Sequence, residues 1–213
     1  MWILGLALTL GACGGGTTAP HSSMPRITVG STGALGAGLL TSAQIGIIGG
    51  LTNPSVSSLS KSTFFEDPDP RGPCGARVPK LDLSHAAGVA VTSGEASGAE
   101  LIVRRTDARA YATLLRNDAR DGCADYSTTT HAGDTQTVRL IRIVPLDVVA
   151  DQSLAIIRAV KVRSVVRAQE TMVVTRGPYL ASLVLFGGAP LGDQTIGQLA
   201  DAMAHQLASL SDS

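Results

Sequence analysis

The chain has 213 residues, with 17 basic and 17 acidic side chains and a formal net charge of zero at pH 7. This balance provides no global attraction to nucleic acid or another polyanion. Aromatic residues make up only 3% of the sequence, which disfavours a site built on sugar stacking or an aromatic cage. The length is sufficient for one ordinary domain with a sizeable core.

The chain opens with an apolar run that ends at Leu10-Gly11-Ala12-Cys13. The stretch between Trp2 and Ala12 would rise roughly 17 Å as a helix, too little for a bilayer core of about 30 Å. This length predicts a signal peptide over residues 1–12. Its end resembles the lipobox of bacterial lipoproteins, which implies that Cys13 is lipidated and becomes the mature N-terminus. No Lys or Arg precedes the run, so a buried N-terminal helix or strand is the alternative.

Residues 13–35 are rich in Gly, Ser, Thr and Pro and show no sustained period, which predicts a flexible tether. A folded domain is expected over residues 36–213. It begins with a short helix in which Thr41 or Ser42 is the N-cap and Gly49-Gly50 marks the end.

Residues 52–80 are irregular in pattern, and their centre carries three acidic side chains around two prolines (Glu66, Asp67, Asp69; Pro68, Pro70). Carboxylates suit calcium, but the prolines prevent convergence of all three, so a turn leading to Cys74 is preferred. Without Cys13, two cysteines remain, Cys74 and Cys123. An even pair in an oxidising compartment predicts a disulfide, and two unrelated buried thiols are the alternative.

Most of the remaining chain has strand composition. Residues 86–93 and 99–105 predict a hairpin, and residues 106–120 predict an amphipathic helix that ends just before Cys123. Five further strands are predicted (125–130, 135–144, 153–162, 168–175 and 179–187), followed by a helix over 193–208. The apolar stripe of this helix is expected to lie on the sheet (Ile196, Leu199, Ala200, Met203, Leu207). The fold class is therefore α+β: an antiparallel meander of about five to seven strands with helices on one face.

Residue spacing gives no sign of catalysis. The four histidines are isolated from one another, no HExxH or GxSxG occurs, and the glycine-rich stretch at 33–38 lacks a preceding strand. We therefore expect no enzymatic activity, no catalytic residue, no metal site and no cofactor.

The sheet segment between Arg139 and Arg176 is locally basic, with seven cationic side chains against three carboxylates. Lys161 and Arg163 share a strand face by alternation, and Arg139 and Arg142 can join them across neighbouring strands. These four residues form a candidate anion-binding face for lipid headgroups, polyphosphate or cell-wall fragments. The alternative is the solvated outer face of a one-sided sheet.

The features described above follow one another in a defined order along the chain. They are the lipobox and tether, the Leu-Leu-Thr-Ser helix, the Asp-Pro-Asp-Pro turn before Cys74, the helix that ends in Gly122-Cys123, and the final strand–helix unit. They resemble the mycobacterial PknH-type extracellular sensor domain, which occurs on receptor kinases and as free-standing lipoproteins. The resemblance implies a disulfide-stapled α+β domain with a cleft, and it matches Cys74 and Cys123 to a family disulfide. A second family disulfide has no cysteines here.

These observations together predict a lipid-anchored module on the outer face of the cytoplasmic membrane, in a mycobacterial envelope. We expect it to bind a small-molecule or lipid ligand, or an envelope protein, without acting on nucleic acid. The rival hypothesis is a scaffold for envelope enzymes or receptor kinases. A concave cavity with few polar groups would favour the ligand, and an exposed apolar patch would favour the scaffold.

Overall fold

The computed structural model describes residues 34–59, 86–120, 123–129 and 133–211. The predicted signal peptide, nearly all of the predicted tether, and the turn before Cys74 lie outside these residues. The helices are a 3₁₀ helix at Ala34–Gly38, α1 (Ser42–Gly46), α2 (Ala108–Arg120) and α3 (Asp193–Ser211). The strands are β1 (Ser55–Ser58), β2 (Ala87–Ser93), β3 (Ala96–Arg104), β4 (Asp125–Thr129), β5 (Thr135–Pro145), β6 (Gln152–Val162), β7 (Val165–Arg176) and β8 (Tyr179–Gly187).

The described strands form one antiparallel sheet in the order β1-β2-β3-β8-β7-β6-β5-β4. The predicted meander is confirmed for β4 through β8, and the predicted hairpin is confirmed for β2 and β3. β3 joins the two units by pairing with β8 over residues 97–104. The overall α+β class is confirmed.

Two details of the predicted fold are wrong. Within the part of the chain that the structure describes, the sheet has eight strands rather than five to seven, because β1 adds a short edge strand to β2. The helices also cover both faces: α2 packs on one, while α1, α3 and the 3₁₀ helix pack on the other. The physical reason lies in the central strands. Leu154 to Ile157 and Leu180 to Leu185 are buried in succession, so apolar side chains on both faces of the sheet require cover.

The core is divided accordingly into two apolar layers. On the α3 side, all five predicted stripe residues of α3 are fully buried against the sheet, as predicted (Ile196, Leu199, Ala200, Met203, Leu207). On the α2 side, Tyr111 and Ala112 pack with Ala99, Leu101 and Val173. The Arg105 guanidinium lies 4.5 Å from the centre of the Tyr111 ring and pairs with Asp107, 2.7 Å away, at the start of α2. This layer holds α2 to the outer side of β6 and β7.

We predict that Gly98→Ala destabilises the fold strongly. A Cβ at Gly98 in β3 would overlap the carbonyl oxygen of Val184 in the neighbouring strand, and the backbone on both sides is fixed by sheet pairing. The free energy of unfolding should fall by about 3 kcal/mol or more. Gly197→Ala is the matched control, because nothing lies within 4 Å of a Cβ there. Since Gly197 is inside α3, where alanine is the better helix former, this change should raise the free energy of unfolding by about 0.5–1 kcal/mol. Urea unfolding of both variants measures the difference, and equal effects would contradict the packing described.

Candidate functional site

A cleft opens between α1 and the middle of α3, with a volume of about 320 Å³. This size is at the lower end of the range for small-molecule pockets, roughly 300–1,000 Å³. Its walls come from segments that are some 150 residues apart in sequence. The lining residues are Gln44, Ile47, Ile48, Gln198, Asp201, Ala202 and His205.

The first wall is α1, which is held by a capping box. The hydroxyl of Thr41 accepts a hydrogen bond from the Gln44 backbone N–H (3.3 Å), and the Gln44 Oε1 accepts one from the Thr41 N–H (2.9 Å). Thr41 is thus the N-cap, one of the two predicted candidates. Ile45 is fully buried beneath the helix, whereas Ile47 is 86% exposed at the rim of the cleft.

The second wall is α3, and two hydrogen bonds join it to the end of α1. The Thr195 hydroxyl donates to the Gly49 carbonyl oxygen at 2.7 Å, and Gln198 Oε1 accepts from the Gly49 N–H at 3.1 Å. Gly50 follows with a φ of +85°, and a Cβ there would strike the Thr195 hydroxyl. This close approach fixes the two walls relative to each other.

The cleft lining combines apolar surface with a few polar groups. Ile47, Ile48 and Ala202 supply the apolar part, and Asp201 and His205 stand four residues apart on one face of α3. A carboxylate and an imidazole beside aliphatic side chains suit an amphipathic ligand. None of the lining residues is a serine, cysteine or lysine that could act as a nucleophile.

Two glutamates are buried in the apolar layer beneath α3. Glu100 on β3 and Glu170 on β7 point to the same face of the sheet, with β8 between them. Glu100 Oε2 accepts the Leu40 N–H at 2.7 Å, and Glu170 Oε1 accepts the Leu191 N–H at 2.6 Å. The second oxygen of each carboxyl has no hydrogen-bond partner among the described residues.

Burial is the largest influence on the pKa of both carboxyl groups. It raises the pKa of Glu100 to about 8, against a smaller lowering by the Leu40 hydrogen bond. It also raises the pKa of Glu170, opposed by the Leu191 hydrogen bond and by the nearby Arg142 cation. Leu40 precedes α1 and Leu191 precedes α3, so each glutamate ties the entry of one cleft helix to the sheet.

Three of the four predicted anion-binding residues lie on one face of the sheet, and the fourth lies in a turn at the end of two strands. Arg139, Arg142 and Lys161 share the α3 face of β5 and β6, and Arg163 stands in the turn between β6 and β7. Each arginine already pairs with a carboxylate: Arg139 with Asp125 (3.9 Å), Arg142 with Asp193 (2.6 Å) and Arg163 with Asp134 (2.9 Å). These pairs reduce the expected positive field, and anion binding by the whole face stays a prediction.

Arg158, another cation of the same segment, lies on the opposite face. Its side chain is largely buried, and its Nε has no hydrogen-bond partner among the described residues. Burial lowers the pKa of the guanidinium, and Tyr126 and Asp118 oppose this effect. The local excess of positive charge seen in the sequence is therefore divided between the two faces of the sheet.

Cys123 is the single cysteine among the described residues, so no disulfide joins two of them. It lies just before β4 and is 2% exposed. Cys13 and Cys74 lie outside the described residues, and their predicted lipidation and pairing stay predictions. Within the described ranges, no cluster of His, Cys, Asp or Glu could hold a metal ion, and no helix is long and apolar enough to cross a bilayer.

The sequence patterns predicted neither Glu100 nor Glu170, and the resemblance implied a cleft without naming the residues that line it. A signal for Glu100 was available, because Ala99-Glu100-Leu101-Ile102-Val103 places one charge inside an apolar strand. Glu170 had a weaker signal, since Gln169 and Thr171 flank it. His205 is one of the four histidines that are isolated from one another in the sequence, and part of its surroundings in the cleft comes from the distant segment around α1.

Comparison with solved structures gives matches to two mycobacterial proteins, and the first of them shows a similar fold. The crystal structure of the extracellular domain of PknH from Mycobacterium tuberculosis matches with a TM-score of 0.54 and 16% identity, covering 84% of this chain and 95% of that chain. An uncharacterized protein from Mycobacterium smegmatis, the Rv0999 ortholog, matches with a TM-score of 0.40 and 10% identity over 74% of this chain and 85% of that chain. No protein-family model and no curated protein sequence matches the chain.

We predict that Glu100→Gln removes a pH dependence of stability. Folded Glu100 keeps its proton up to a pKa of about 8, whereas the unfolded chain releases it near the ordinary value of 4.5. Between these values the folded state binds more protons, so the free energy of unfolding should fall by a few kcal/mol as pH rises. Glutamine keeps the acceptor for Leu40 without a charge.

Urea unfolding from about pH 5 to pH 8 tests this prediction, and the variant should show a flatter profile than the wild type. Glu95→Gln is the matched control, since Glu95 is exposed in the turn between β2 and β3. Equal slopes for the wild type and Glu100→Gln would show that Glu100 does not carry the effect.

Proposed function

We propose that this protein is a membrane-anchored, extracytoplasmic module that binds a ligand in the cleft between α1 and α3 and has no catalytic activity of its own. The cleft carries the proposal, because it is concave, large enough for a small molecule, and built by fixed walls. Its lining offers recognition groups, and none of the lining residues is a serine, cysteine or lysine.

The likeness to the PknH extracellular domain supports an extracytoplasmic, sensor-like role. That match covers 95% of the solved domain. The likeness is one of fold, so the ligand must be argued from this chain's own residues. Ile47, Ile48 and Ala202 favour an aliphatic part, while Asp201 and His205 favour a polar or cationic group beside it.

The proposal includes two covalent features of the termini and loops. Cys13 would carry the lipid that anchors the protein to the outer face of the membrane, and residues 13–35 would tether the domain to it. Cys74 and Cys123 would form a disulfide that joins residue 74 to the residue two positions before β4. The deep burial of Cys123 is compatible with a structural disulfide there.

A second candidate function is a scaffold for envelope proteins. Ile47 favours it, because a side chain of this size with 86% of its surface exposed is an anchor that a protein partner could bury. The two functions share a location and differ in what occupies the rim of the cleft.

We predict that Ala202→Trp abolishes ligand binding without unfolding the protein. Ala202 lines the cleft and is only partly buried, so an indole there should fill the space rather than the core. Ser209→Trp is the matched control, since it places the same group on an exposed position of α3 outside the cleft. Native mass spectrometry of protein purified from its own envelope gives the readout.

A small molecule bound to the wild type and to Ser209→Trp, but at least about tenfold depleted in Ala202→Trp, would support the ligand-binding function. A stoichiometric protein that is lost in Ile47→Asp would support the scaffold instead. If the wild type carries neither, both functions are overturned.

We also predict that Cys13→Ala prevents membrane anchoring. The substitution removes the thiol that would be acylated, so the protein should become soluble or accumulate as an uncleaved precursor. Metabolic labelling with a fatty acid, followed by membrane fractionation, measures both effects. Labelled, membrane-bound Cys13→Ala protein would contradict the lipobox.

A further inference from the structure

The end of the β6–β7 hairpin combines exposed cations with exposed apolar side chains. We call residues 161–167 the hairpin tip. Val162 pairs with Val165 across a two-residue turn of Arg163 and Ser164. Six of the seven residues are exposed, and Val165 and Val166 each expose 55% of their surface.

The hairpin tip projects past β8. Pairing of β7 with β8 begins only at Ala168 and Gly187, so residues 165–167 extend beyond it by about 10 Å of strand. Val165 and Val166 belong to neither of the two apolar layers beneath α2 and α3. The apolar surface at this end is therefore presented to the surroundings rather than to the core.

Each face of the hairpin tip carries one exposed valine and one cation. Lys161 pairs with Val166 on the α3 face, while Val165 and Arg167 lie on the α2 face. A flat protein partner would cover one face and leave the other valine in water. The interface of a membrane can surround both faces of an inserted tip.

Arg163 occupies a backbone position that normally favours Gly or Asn. Its φ is +54°, a strained value for a residue with a long side chain. The guanidinium is 75% exposed, and its Nε bonds Asp134 Oδ1 at 2.9 Å. Residues 161–167 themselves carry three cations (Lys161, Arg163, Arg167) and no carboxylate. With Asp134 paired to Arg163, the hairpin tip keeps a net positive charge of two.

We propose that the hairpin tip docks on an anionic lipid surface, with Val165 and Val166 at the level of the headgroups and the cations on the phosphates. Apolar groups combined with nearby Lys and Arg are the combination that binds such interfaces. The inference rests on the proposed membrane-side location. It does not require acylation of Cys13, so the two can fail separately.

The test uses the full chain with Cys13→Ser, which cannot be acylated at that position. Binding is measured by cosedimentation with vesicles of phosphatidylcholine containing phosphatidylglycerol, and with vesicles of phosphatidylcholine alone. Each lost cation should weaken binding about fivefold, equivalent to about 1 kcal/mol per basic residue near an anionic surface. Lys161→Gln/Arg167→Gln should therefore bind about 25-fold more weakly, and Val165→Ser/Val166→Ser about tenfold more weakly.

The matched control is Val149→Ser/Arg104→Gln, which removes an exposed valine and an exposed arginine from the opposite end of the sheet. Its binding should equal that of the parent. A second readout is Val166→Trp in a chain that also carries Trp2→Phe, so that the introduced indole is the single tryptophan. Brominated lipid should quench its fluorescence, whereas the fluorescence of Val149→Trp in the same background should stay unquenched. The proposal is overturned if the parent does not bind, if binding ignores phosphatidylglycerol, or if the hairpin-tip variants bind like the control. Quenching equal at both positions would also overturn it.

Discussion

The apolar layer between the sheet and α3 is the packing on which the rest of the molecule depends. The stripe of α3 from Ile196 to Leu207 is buried without remaining exposure, and strands β2, β7 and β8 supply the opposing side chains. Burial of this kind is the main favourable term in folding, at roughly 25 cal/mol per Å² of apolar surface. Because it fixes α3 along its length, it also fixes one wall of the cleft. The second wall follows, since α1 is bonded to α3 through Gly49.

Two carboxyl groups interrupt this layer, and their burial raises the pKa of both. A buried charge without a partner is far more expensive than a neutral acid, so Glu100 retains its proton at neutral pH. In return, each carboxyl group accepts a hydrogen bond from a backbone N–H that precedes a helix. Glu100 bonds the N–H of Leu40 before α1, and Glu170 bonds the N–H of Leu191 before α3. The helices of the cleft are therefore held by polar bonds to the sheet at their entries and by apolar packing along their bodies.

Sequence patterns predicted the strands of the meander well because the turns between them are chemically distinct. Gly133 and Gly177 both adopt a positive φ, at the start of β5 and between β7 and β8. β1 escaped prediction because Ser55-Val56-Ser57-Ser58 has one apolar residue, and its strand conformation comes from pairing with β2. Residues 154–157 indicate that helices cover both faces of the sheet. Four apolar residues follow one another there, without the alternation of apolar and polar residues that a sheet with one exposed face shows. The position and lining of the cleft were not predictable from the residues, because Gly49 and Thr195 meet only in the folded chain.

The hairpin tip and the beginning of α3 lie at the same end of the sheet. β8 ends at Gly187 beside Ala168 of β7, and the chain then passes through Leu191 into α3. The β2–β3 turn, which bonds Thr52 just after α1, is at this end as well. Docking of the hairpin tip on lipid would therefore place the Gln198 end of the cleft nearer the membrane than the Leu210 end of α3. A ligand entering there would come from the lipid surface, which agrees with a lining that is aliphatic at Ile47 and polar at Asp201 and His205.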